Sequence, residues 1–146
     1  MHLQGIANKL VNLHDLVADA LRDREIDWSG AEDQYTFRVS LPHFRHQVIH
    51  AEILETQTDS EQHRIVSFWT PCAPASPEHY RTVLDLNGRL PYGAFSVREV
   101  AGKAYFVMVE NHPRDTIDAA EIRAAVLHLA EWADYLEQRL TGRDVH

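Results

Sequence analysis

The chain has 146 residues, with 22 carboxylates against 14 lysines and arginines and a net charge of -8 when its ten histidines are neutral. Phosphate and anionic-lipid binding rest on clustered Lys and Arg; here those cations are few and scattered, so neither nucleic acid nor a membrane surface is expected as a partner. A chain of this length buries about two-thirds of its unfolded surface, enough for one domain over residues 1–146 that folds without a disulfide or a metal.

In chain order, Leu3, Ile6, Leu10, Leu13, Val17 and Ala20 recur at helical spacing and predict a helix in the first two dozen residues. Gln4, Asn8, Lys9 and Asn12 interrupt its apolar side. It therefore lacks the continuous apolar run of a signal peptide, and no stretch reaches transmembrane length. Tyr35, Phe37, Val39 and Leu41 alternate with Thr36, Arg38 and Ser40, which predicts a strand with one buried face that stops at Pro42. A second strand is expected around Ile49, Ala51 and Ile53, and a third from Ile65 to Trp69. The polar runs LPHFRH and QTDSEQ serve as turns between them.

Ser76 and Pro77 suit the start of a helix and Gly88 its stop, giving a helix near residues 77 to 87. Phe95 and Val97, then Tyr105, Val107 and Val109, alternate with their neighbours around Gly102 and read as a β-hairpin. Phe106 and Met108 make the second of these strands apolar on both faces, which places it inside a sheet. Ile122, Ala125, Val126, Leu129, Ala133, Leu136 and Leu140 form the stripe of a long last helix. Asp118 and Glu121 are spaced as a capping box, and Gly142 stands where a C-cap would. Full burial of Ile122, Val126, Leu129, Trp132, Leu136 and Leu140 at roughly 2 kcal/mol each gives an upper bound of about 12 kcal/mol, so this helix is structural. The expected class is α+β, an antiparallel β-sheet flanked by helices in the order α-β-β-β-α-β-β-α.

Residues able to do chemistry each have a structural explanation beside the functional one. His43, His46 and His50 number enough for a transition metal. In a strand, however, His46 and His50 lie about 13 Å apart, and no HExxH pattern is present. Cys72 stands alone in PCAPASP, without a redox partner or a nucleophile elbow. A single cysteine makes no intramolecular bridge, and a reducing, cytoplasmic location follows as the expectation. Asn111, His112, Pro113, Arg114 and Asp115 gather an acid, a base and an imidazole at a strand-to-helix joint, where Asn, Pro and Asp are also ordinary turn and cap residues. Trp28, Trp69 and Trp132 are expected as core anchors or interface residues. No Gly-rich phosphate loop, GxSxG or paired CxxC occurs, so no catalytic residue, cofactor or metal ligand is assigned.

The stretch Leu84 to Gly88, the entry Leu90, Gly93, Ala94, Phe95, the strand Tyr105 to Val109 and the ending WADYLEQRL together resemble the YbjN-like family, whose fold is similar to that of type III secretion chaperones. The resemblance covers about half of the chain in motif detail. It implies a chaperone-like sheet and helices, frequent homodimers and no enzymatic activity, and it transfers no binding residue.

Three functional readings follow. The first is a non-catalytic, protein-binding module, chaperone-like or regulatory, that holds a segment of a partner protein. The second is a small enzyme using the His/Asp corner at residues 111–115. The third is a purely structural dimeric subunit.

Overall fold

The computed structural model describes residues 12–23, 26–58 and 61–141. Its elements are α1 (Leu13–Ala20), β1 (Asp27–Ala31), β2 (Gln34–Leu41), β3 (Arg45–Thr58), β4 (Glu61–Pro74), α2 (Tyr80–Asn87), β5 (Ala94–Val100), β6 (Lys103–Pro113) and α3 (Ala119–Thr141), with short 3₁₀ turns at Pro42–Phe44 and Pro77–His79. The six strands form one antiparallel sheet in the order β1-β2-β3-β4-β6-β5. This is an α+β fold. Among the described residues, no helix is long and apolar enough to cross a membrane.

Alternation decides which side of the sheet the helices cover. Tyr35, Phe37 and Val39 on β2, Ile49 and Ala51 on β3, Val66 and Phe68 on β4, Phe106 and Met108 on β6 and Phe95 on β5 are all buried on one face. Ile122, Ala125, Val126, Leu129, Ala133 and Leu136 of α3 close over it, joined by Leu13 and Val17 of α1 and Val83 and Leu86 of α2. The last-helix stripe is thus as expected, except that Trp132 and Leu140 are only partly buried. Both halves of the capping box form: Glu121 N–H donates to Asp118 Oδ1 at 2.8 Å, and Asp118 N–H to Glu121 Oε1 at 3.1 Å. Gly142 and the first three apolar positions of the N-terminal helix pattern lie outside the described residues.

The order differs from expectation by one strand, because β1 precedes β2. Its residues DWSGA are almost all exposed and carry no alternating apolar signal, so periodicity could not find it. The pairing comes from the tight turn at Glu32 and Asp33, with Glu32 at φ 58°, and from Gly30 at φ 137°. A Cβ on Gly30 would stand 2.3 Å from the Gln34 carbonyl, so only glycine allows that approach.

The polar runs are also shorter as turns than expected. Strands take up Leu41, Arg45 and His46 of LPHFRH and Gln57, Thr58, Glu61 and Gln62 of QTDSEQ, and β4 runs on past Trp69 to Pro74 through a register shift between Pro71 and Ala73. Pro71 has no N–H for the ladder, and side chains take over there. Gln47 donates to Thr70 Oγ1 and to the Pro71 carbonyl at 2.8 Å each, while Thr70 donates to the Val48 carbonyl at 2.6 Å.

In the β2–β3 turn, His43 and Phe44 both adopt left-handed backbone, at φ 63° and 61°. Each such residue costs roughly 1–2 kcal/mol for an L-amino acid that is not glycine. The base of the turn is fixed to α3, since Arg45 Nε and Nη2 donate to the two oxygens of Asp134 at 2.8 Å each.

Candidate functional site

The fold separates most of the residues that the sequence singles out. His43 lies in the exposed turn, His46 is exposed opposite Ser40, and His50 stacks on Trp69 with ring centroids 4.6 Å apart. Among the described residues, no three His, Cys, Asp or Glu side chains gather as a metal site. Burial against Trp69 and its neighbours lowers the pKa of His50. Cys72 is buried, and burial pushes its thiol far above the ordinary range, so little thiolate forms there.

The Asn111–Asp115 corner is split by the pleat of β6, which continues to Pro113. Asn111 pairs with Ser67 and faces the side away from the helices, whereas His112 pairs with Val66 and faces them. Asp115 lines a separate hollow with Thr56, Gln62, His63 and Arg64. His112 instead joins carboxylates: its Nε2 is 2.6 Å from Glu110 Oε2 and its Nδ1 is 3.7 Å from Glu121 Oε2. The hydrogen bond to Glu110 raises the His112 pKa above its ordinary value. His112 thereby stands between Glu110 of β6 and Glu121 in the first turn of α3. Glu110, His112 and Glu121 line a hollow of about 340 Å³ together with Tyr92 and Asp118.

Each of the three tryptophans is partly buried. Trp28 touches His14 of α1 at a ring distance of 5.1 Å, and Trp132 lies edge-on to Tyr135 at 5.5 Å. Trp69 is on the side without helices, where the Arg98 guanidinium sits 4.4 Å from its ring centre, reaching over from β5.

A different place holds exposed apolar surface next to free backbone. Between α2 and β5 lies a groove of about 330 Å³ lined by Tyr80, Val83, Leu84, Phe95, Ser96, Val97 and Phe106. Amphipathicity builds it: α2 turns Val83 and Leu86 into the core, which leaves Leu84 on the outer side. Leu84 is 66 % exposed, Val97 49 % and Tyr80 43 %.

Among the described residues, the strand along this groove, β5, ends the sheet and pairs only with β6. Asn87 at the end of α2 occupies one position of its outer edge. Its Oδ1 accepts the Phe95 N–H at 2.6 Å, and its Nδ2 donates to the Phe95 carbonyl at 3.0 Å. In an antiparallel strand both main-chain groups of a residue point to one side and those of the next residue to the other. Val97 and Glu99 therefore share the outward direction of Phe95, and they carry the edge groups beyond Asn87. Sequence reasoning missed this groove. An apolar Leu84 out of phase with Val83 and Leu86 was the signal available for it.

A scan against protein-family models returned no match, and a search of the curated proteins returned none either.

Proposed function

We propose that this chain is a non-catalytic, protein-binding module of the YbjN-like, secretion chaperone-like kind, which holds an extended apolar segment of a partner protein along β5. The observation that carries this reading is the adjacency of an open sheet edge at Val97 and Glu99 to the apolar groove under Leu84. An extended segment gains main-chain hydrogen bonds from such an edge and specificity from side-chain pockets beside it. Exposed Leu84, Tyr80 and Val97 supply that pocket wall. The net charge of -8 favours a segment that is neutral or weakly basic. The module works as a homodimer, as its family resemblance implies.

The test is a peptide array followed by titration of the best binders. Alternating apolar peptides are expected to bind at micromolar or better affinity, about -8 kcal/mol. Leu84→Asp, at an exposed position where the fold tolerates it, should weaken binding by about tenfold or more. A protein that retains no peptide in the array would overturn the reading.

A further inference from the structure

The hollow around His112 shares no lining residue with the groove beside β5. Its sides come from β6 through Glu110 and His112, from α3 through Glu121 and Ala124, and from the loop entering β5 through Tyr92. That loop is held in place. Gly93 runs at φ 73°, and a Cβ on it would stand 2.6 Å from the Val109 carbonyl and 3.4 Å from Glu110 Cβ. His128 Nε2 donates to the Tyr92 carbonyl at 3.0 Å, and the two rings lie edge-on at 6.0 Å.

The lining is anionic. Glu110, Asp118 and Glu121 set three carboxylates against one imidazole, so even a charged His112 leaves two negative charges in excess, and among the described residues no lysine or arginine lines the hollow. Glu110 is the informative member. It is only 7 % exposed, its Oε2 is taken by His112 at 2.6 Å, and among the described residues its Oε1 has no hydrogen-bond partner. A buried carboxylate oxygen without a donor is costly. The terminal torsion of a glutamate is broad, so a small rotation turns Oε1 toward the hollow with the backbone unmoved. Glu121 stands at the rim, 44 % exposed, with its Oε2 3.7 Å from His112 Nδ1 and so beyond hydrogen-bond reach of it.

These features select a class of ligand. An ammonium brings three donors and one positive charge to the carboxylates, and the face of Tyr92 attracts the same charge. Ala120 and Ala124 offer apolar contact to a carbon chain. A bare metal ion fits less well, since among the described residues no three His, Cys, Asp or Glu side chains gather round one point. The volume of about 340 Å³ lies near the lower end for ligand sites, about 300 Å³, which suits a small body. We infer that this hollow binds an organic ammonium, a primary amine on a short aliphatic chain, with its charge between Glu110 and Glu121 and its chain against Tyr92 and Ala124. Such a group occurs on a free alkylamine and on a lysine side chain. The inference stands apart from the peptide-binding reading.

The experiment follows the backbone amide shifts of the full chain by NMR as n-butylammonium, N-acetyl-lysine N-methylamide or neutral n-butanol is added. Butylammonium is expected to give saturating shifts centred on Tyr92, His112, Glu121 and Ala124, with a Kd of about 1 mM or tighter, and butanol none. Glu110→Gln and Glu121→Gln should each weaken binding by about tenfold, through loss of one charge-assisted hydrogen bond. Glutamine serves a capping box as glutamate does, so Glu121→Gln keeps the start of α3 and carries the test even if Glu110→Gln does not fold. A blocked lysine that binds at least as tightly as butylammonium assigns the site to a lysine of another protein, and a weaker or absent response to it assigns the site to a free amine. Scattered or unsaturable shifts with butylammonium, an equal response to butanol, or an affinity unchanged in Glu121→Gln would overturn the inference.

Discussion

The two faces of the sheet are built from alternate residues of the same strands and are held together by different physics. On the covered face, Phe37, Ile49, Phe68 and Met108 are essentially without solvent exposure and meet the aliphatic stripe of α3. On the other, Trp69 is gripped by His50 and Arg98, while Thr36, Arg38 and Ser40 face outward. Burial is additive and insensitive to salt, whereas ring and cation contacts at a partly wet surface are individually small. The covered face should therefore supply stability and tolerate little. The other should tolerate substitution and respond to conditions.

The largest effect expected is at Leu129, which is fully buried in mid-helix. Leu129→Ala should cost about 2 to 5 kcal/mol through lost burial and a residual cavity, read as a shift in urea midpoint with unchanged slope. A loss below about 0.5 kcal/mol would break the comparison at its stronger side.

Trp69→Leu keeps an apolar side chain but gives up the stack with His50 and the Arg98 contact. It should cost about 1 kcal/mol, less than Leu129→Ala, and part of it should disappear in high salt. Equal losses for the two variants would show that the faces are not energetically distinct.

The smallest effect separates two histidines that titrate in opposite senses. His112, on the helix side, has its pKa raised above 6.5, first by its hydrogen bond to Glu110. Its contribution is fully present below the ordinary value and is lost as pH rises through the raised one. His50, on the other side, has its pKa lowered from 6.5 by burial. The stability it gives is present above the ordinary value and is lost as pH falls through the lowered one. Between about pH 5 and pH 8, the margin of wild type over His112→Gln should narrow with rising pH, while its margin over His50→Phe widens. Urea midpoints across that range check this, and two slopes of the same sign would refute it.

What could be read from the sequence follows the same division. Alternation from Tyr35 to Val39, the α3 stripe and the Asp118–Glu121 box are local patterns tied to burial or to free helix amides, and the structure contains them. β1 had no such pattern, since its residues are nearly all exposed and its place depends on a turn at Glu32 and on Gly30. The candidate site was hidden for a related reason. The reach of Asn87 back to Phe95, and the pleat that turns His112 away from Asn111, are tertiary facts with no spacing signature. Residues 111–115 looked convergent only because they are adjacent in the chain.

Asn87 has one more consequence, for counting. By filling the edge position at Phe95, it leaves a strand arriving at β5 only the outward groups of Val97 and Glu99. Two such positions span three residues, about 10 Å with their flanks. If β5 holds a partner segment as proposed, a footprint that short occupies a small fraction of a long unfolded client and leaves the remainder open to further copies. The quantity to measure on such a client is then stoichiometry, as copies bound per hundred residues of client, and it should rise with client length at constant affinity per station.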